Sequence, residues 1–243
     1  MNGHYRVRRV LSLAVATALV LTVVEVSQAA VQCFSLEFFY DSTSESDVML
    51  RSAFEEITDQ RTGLRVLFHD VSQDEDQKIR KRIDSIVRYF SLTELKLPAI
   101  YGLRHVVANL KSKDVMQRRL KEILTMTAFV RNGCPHCRDA KEFLRKYRSR
   151  YPAMSIVYRE VTTDPNARND MNALVSRYRR SAASLPVIHF CNGLSIGFDR
   201  EATTGKRVLQ KLDYWSWPTP DLCTTLSERI GVQVTRSVQQ GAA

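Results

Sequence analysis

Apolar positions along the chain follow two alternating periods. Residues 33–40 (CFSLEFFY) read as a buried strand, and Val48–Arg61 set Met49, Leu50, Ala53, Phe54 and Ile57 on one helical stripe. Gly63 ends that helix, Leu64–Val71 predicts a second strand, and Asp76–Leu92 a charged amphipathic helix with Ile79, Ile83, Ile86, Val87 and Phe90 facing inward. Leu97-Pro98-Ala99-Ile100-Tyr101 opens a third strand, Arg104–Leu110 supplies a fourth and Asp114–Leu124 a closing helix.

The same order then recurs. Strands are predicted at Met126–Arg131, Met154–Val161, Leu185–Phe190 and Leu194–Phe198, and helices at Cys137–Tyr147, Asn166–Tyr178 and Thr204–Trp215. Asn192-Gly193, between the last two strands, is a strong two-residue hairpin signal. The repeat is one of pattern, without clear residue identity between the halves. It divides the chain into residues 30–124 and 125–215, each β-α-β-α-β-β-α, and a tail, 216–243, in which Ser216-Trp217-Pro218-Thr219-Pro220 breaks regular structure. Cys223 is a candidate tether for that tail.

The N-terminus changes how the rest is read. Arg6, Arg8 and Arg9 precede an uncharged apolar run, Val10–Val24, followed by Ser27-Gln28-Ala29, the order of a secretory signal peptide over residues 1–29. The run is shorter than the roughly 20 residues of a membrane span, although an uncleaved anchor stays open, and Val31-Gln32 before Cys33 lacks the small residue of lipoprotein processing. The expectation is a mature protein in the periplasm, an oxidising compartment. Removing residues 1–29, with three Arg and one Glu, lowers the net charge from +10 only to +8. The excess sits in short runs such as Lys78-Ile79-Arg80-Lys81-Arg82, Arg118-Arg119 and Arg177-Tyr178-Arg179-Arg180, which suit solvated helix faces. No recognition motif accompanies them, so nucleic acid is excluded as a partner, and an anionic membrane surface or acidic protein is the better candidate.

The most specific chemical signal is Gly133-Cys134-Pro135-His136-Cys137, directly after an apolar strand and at the start of an amphipathic helix. There, unpaired backbone N–H groups and the positive end of the helix dipole stabilise a thiolate at Cys134, and His136 adds to that. Cys137, one helical turn on, can close a disulfide with Cys134 and is expected to be the more buried partner. Pro135 suits the first turn. The pair can carry out thiol-disulfide exchange, Cys134 forming the mixed disulfide and Cys137 resolving it. A zinc site would need a second ligand pair, and Cys191 and Cys223 stand 32 residues apart without a nearby His pair, so no metal site is expected. Copper binding by the reduced pair stays open.

Several stretches resemble one family in order. Residues 126 to about 215 resemble a glutaredoxin of the thioredoxin-fold superfamily, and Pro135-His136 between the cysteines is the dipeptide of periplasmic disulfide oxidoreductases. The resemblance implies that Arg131 meets a glutathione carboxylate and that the Leu185-Pro186 bond is cis, with Pro186 against the disulfide and Leu185 on an edge that pairs with substrate. It further implies that Gly197, Phe198 and Asp199 belong to a glutathione-contacting turn, which here has one Gly where the family usually has two, and Arg200 where a second acid is common. No cofactor is implied beyond the redox-active disulfide, with glutathione a candidate ligand. Cys191 reads as a small buried hydrophobe, with a regulatory thiol as the alternative.

The first half resembles a thioredoxin-type domain with Leu97-Pro98 in the cis-proline position. In place of a cysteine pair it has Asp41-Ser42-Thr43-Ser44-Glu45-Ser46-Asp47, which can cap a helix but cannot exchange disulfides. Cys33 pairs with Cys223 or stays free, and His69-Asp70 reads as capping or surface. The expected fold is therefore α/β, two tandem thioredoxin-like domains after a signal peptide. The expected function is an exported thiol-disulfide oxidoreductase acting on cysteines of other exported proteins, with a recycling redox partner. The alternatives are an envelope scaffold of a secretion or conjugation apparatus and soft-metal handling.

Overall fold

The computed structural model describes residues 31–181 and 184–218; the expected signal peptide and Cys223 lie outside the described residues. In the first half, β1 (Gln32–Tyr40), α1 (Glu45–Asp59), β2 (Leu64–Asp70), α2 (Lys78–Tyr89), β3 (Ala99–Gly102), β4 (His105–Val107) and α3 (Lys113–Ile123) follow in order. The second half repeats them as β5 (Thr125–Val130), α4 (Pro135–Tyr147), β6 (Ser155–Glu160), α5 (Pro165–Arg177), β7 (Val187–Phe190), β8 (Gly193–Ile196) and α6 (Lys206–Tyr214). The sheets have matching orders, β2-β1-β3-β4 and β6-β5-β7-β8, with the first pair parallel and the other two antiparallel. A parallel pair needs a crossover, supplied by α1 and α4, whereas tight turns join β3 to β4 and β7 to β8. This is the thioredoxin fold, twice.

The β7–β8 hairpin is built one residue away from the sequence signal Asn192-Gly193. The loop residues are Cys191 and Asn192, with φ of 51° and 46°, while Gly193 already pairs with Phe190 as the first residue of β8. Leu103 and Arg104, with φ of 49° and 59°, make the corresponding turn between β3 and β4. Positive φ at both central positions is the type I′ turn, whose twist matches the strands it joins.

The tail also departs from expectation. Ser216–Pro218, read as a break, forms a strand, β9, antiparallel to the start of β1, with Cys33 opposite Trp217 and Phe34 opposite Ser216. The Ser216 hydroxyl donates to the Gln32 side-chain oxygen at 3.0 Å, a buried bond that satisfies both groups. Cys33 is disulfide-bonded; its expected partner lies beyond the described residues.

The halves share a core. Phe34, Leu36 and Phe38 of β1 belong to the same apolar cluster as Met126 of β5, Phe143 of α4 and Leu212 of α6. The Phe34 ring stacks on Tyr151 at 6.0 Å and tilts against Phe190 at 5.6 Å, joining the first strand of one half to the second half. Smaller clusters lie under α5, around Phe129 and Met171, and under α2, around Phe39 and Ile86. Among the described residues no helix is long and apolar enough to cross a membrane.

Candidate functional site

Strand β5 ends at Val130, and Arg131-Asn132-Gly133 turns the chain into α4, with Gly133 at φ 75° in a left-handed conformation. Cys134 is the N-cap of α4, its backbone extended, and its Sγ accepts the Cys137 N–H at 3.2 Å. A cap oxygen usually satisfies this orphan donor; here sulfur does, so the helix N-terminus points at the sulfur that would carry negative charge. Pro135 occupies the first turn, where its missing N–H costs nothing.

The two thiols, free in this structure, are in different surroundings. Cys134 is 7% exposed and Cys137 1%. Burial, followed by the hydrogen bond with Cys134, pushes the Cys137 thiol up to about 11. Asn132 ties the loop to the end of β6 by donating its backbone N–H to Glu160 at 3.3 Å. Glu160 also accepts the hydroxyl and the N–H of Thr163, both at 2.7 Å, and the Thr162 N–H, and these bonds hold its carboxyl down to about 2. Spacing gave no reason to single out Glu160, because its role is to fasten the loop.

The Leu185-Pro186 peptide is cis, Pro186 is buried, and its carbonyl accepts the Gly197 N–H at 2.8 Å. Leu185 packs against the core cluster that contains both Cys134 and Cys137. Gly197 has φ 76°, and Phe198 is buried with its ring 5.3 Å from that of Phe143 on α4. Asp199 turns inward on its own chain. It accepts the hydroxyls of Thr203 and Thr204 and the Arg200 N–H at 2.7 Å, which hold its carboxyl well below the usual range and fasten the π turn Glu201–Gly205 that leads into α6. Arg131 and His136 are both exposed, and neither is in an ion pair among the described residues. Cys191 is buried in the β7–β8 turn, and burial pushes its thiol far up. Among the described residues no group of three or more His, Cys, Asp or Glu is placed to hold a metal.

The first half carries the same local architecture with different atoms. Ser44 caps α1 as Cys134 caps α4, accepting the Asp47 N–H, and Asp47 is buried where the second half has Cys137. Asp70, at the end of β2, receives the Ser42 N–H at 3.1 Å as Glu160 receives that of Asn132. Ser44 and Asp47 thus stand after β1 as Cys134 and Cys137 stand after β5, an equivalence of position that a polar run alone does not signal. His69 Nε2 lies 3.2 Å from Glu37 and its ring stacks on Phe39 at 4.8 Å, so His69 faces α2 and its neighbours while Asp70 caps the following turn. The Leu97-Pro98 bond is also cis.

Residues 118–193 match the glutaredoxin family model. In three dimensions the chain is similar to the NTD_N/C domain of the alkylhydroperoxide reductase AhpF from Enterococcus faecalis (V583), at 13% identity over 75% of this chain and 92% of that one, with a TM-score of 0.25. It is also similar to a protein disulfide oxidoreductase from Aeropyrum pernix K1, at 17% identity over 78% and 86% of the two chains, with a TM-score of 0.24. No curated protein matches the sequence.

Proposed function

We propose that this protein is an exported thiol-disulfide oxidoreductase that exchanges disulfides with cysteines of other envelope proteins. The observation that carries the reading is Cys134 at the N-cap of α4 with Cys137 buried one turn later, its N–H on the Cys134 sulfur. In the reducing direction the Cys134 thiolate attacks a substrate disulfide, forming an S–S bond to one substrate sulfur and expelling the other as a thiolate. Cys137 then loses its proton and attacks the Cys134 sulfur, which releases the second substrate thiolate and leaves the Cys134-Cys137 disulfide. Oxidation of substrates is the same sequence reversed. Because burial favours the Cys137 thiol form, Cys137 waits protonated while Cys134 reacts, which separates attack from resolution.

The remaining residues have positioning and recognition roles in this reading. Pro135 and His136 shape the environment of the Cys134 sulfur. Pro186 and Leu185 present the backbone edge to substrate polypeptide, and the exposed Arg131, with Gly197, Phe198 and Asp199, supplies the place for a glutathione moiety. Asp199 would meet it with lone pairs left over from capping. The first half, having Ser44 and Asp47 in place of thiols, contributes surface and no exchange chemistry. Residues 1–29 would direct export to the periplasm, a second protein would recycle the disulfide, and the basic surface would favour anionic membranes.

Cys134→Ser should abolish turnover in an insulin or glutathione exchange assay, whereas Cys137→Ser should still attack and accumulate mixed disulfides visible as mass adducts. Full activity in Cys134→Ser would overturn the proposal. Equilibration against glutathione buffers sets the direction: a potential near about −120 mV makes the protein a disulfide donor, and one near about −270 mV a reductant or isomerase.

A further inference from the structure

Positive charge gathers away from Cys134 and Cys137, in a cleft of about 570 Å3 where the halves meet, with the buried Cys191 in its lining. On one side is Arg104, in the β3–β4 turn; on the other are Arg180, beyond α5, and Arg207 and Lys211 of α6. No carboxylate lines the cleft, and none of these four cations is in an ion pair among the described residues. Several other cations have anionic partners, among them Arg82 with Glu37, Lys146 with Glu201, and Arg159 with Asp164 and Asp170. Four like charges in one concavity repel one another unless an anion enters, and the field they create attracts one. Lys211 registers that strain, its ammonium held below the ordinary range by burial first and then by Arg207 and Arg180.

The two sides are tied together, since the Asn192 side-chain amide donates to the Arg104 carbonyl, turn to turn. Lys211 donates to the Leu194 carbonyl at 3.1 Å, so a lysine guards the edge strand β8 against pairing with an extended peptide. The volume falls within the roughly 300–1,000 Å3 of small-molecule sites, and Tyr178 and Trp215 add aromatic surface beside the cations. Guanidinium forks match the paired oxygens of phosphate or carboxylate groups. We infer that this cleft binds a small, multiply charged oxyanion, bridging the two halves through Arg104 on one side and Arg207 and Lys211 on the other. The site is independent of the redox pair: it opens beside the β7–β8 turn, whereas Cys134 follows the opposite end of the sheet, beyond Val130.

The test is isothermal titration of the full chain at fixed ionic strength with pyrophosphate, ATP and citrate. Saturable one-to-one binding is expected for at least one of them, weakened at least about tenfold in Arg104→Gln/Lys211→Gln. It should be unchanged within about twofold in Arg118→Gln/Lys121→Gln, which removes the same charge from α3. A preference for ATP over pyrophosphate assigns the aromatic wall to a base, equal affinity assigns the site to the oxyanions alone, and a preference for citrate assigns it to carboxylates. The single variant Arg104→Gln, on the first half, should weaken binding to the residues of the second and raises no question of folding in α6. Absence of saturable binding with all three probes, or equal losses in both double variants, overturns the inference.

Discussion

Cys134 and Cys137 are chemically identical and made different by position. One caps a helix and the other is buried behind it, with a thiol pushed from an ordinary 9.0 to about 11. The sign follows from linkage: the fold favours the protonated Cys137, so its contribution to stability is complete below the unfolded value and is lost as pH rises through the folded one. In the reduced protein, iodoacetamide should therefore spare Cys137 relative to Cys134 at neutral pH and reach it only as pH approaches about 11, whereas unfolded chain loses the distinction. Peptide mapping reads the order, and faster loss of Cys137 at neutral pH would contradict it. At this scale the cysteine pair was legible because its spacing and flanking strand are local. Ser44 and Asp47 were not, since a serine and an aspartate in a polar run signal only a cap until the strand before them is superposed on its counterpart.

Helix α4 is held against the entrance to α6 through Phe143, whose ring lies 5.3 Å from Phe198 and 4.9 Å from Tyr147. Gly205 lets the backbone approach: a Cβ there would sit 2.7 Å from the Phe143 ring. Gly205→Ala should cost about 1–3 kcal/mol by overpacking, read as a lower thermal midpoint, and Phe143→Leu in the same chain should return part of it. Additive losses would show that the two residues do not compete for the same space. The elements themselves follow the hydrophobic periods closely, with ends displaced by a few residues, because each amphipathic stripe is local. Hairpin register is not local: Asn192-Gly193 locates the turn, but the pairing of Phe190 with Gly193 sets the loop at Cys191-Asn192.

Across the whole molecule the halves behave as one unit because Phe34, at 0% exposure, packs on Tyr151 and Phe190 of the other half. Phe34→Ala should cost about 3–5 kcal/mol, and the full chain should unfold in one transition, with far-ultraviolet circular dichroism and tryptophan fluorescence coinciding. Two separated transitions, or a Phe34→Ala loss confined to one of them, would show independent domains. Period and spacing alone specify the repeated β-α-β-α-β-β-α order and the Cys134-Cys137 pair, because strand, helix and cap are decided by residues within a few positions of one another. The shared core, the return of Ser216–Pro218 to β1 and the meeting of Arg104 with Lys211 join residues far apart in sequence. No local pattern encodes them; they arise only when two sheets, each apolar on both faces, bury surface against each other and β9 is brought back to the start of β1.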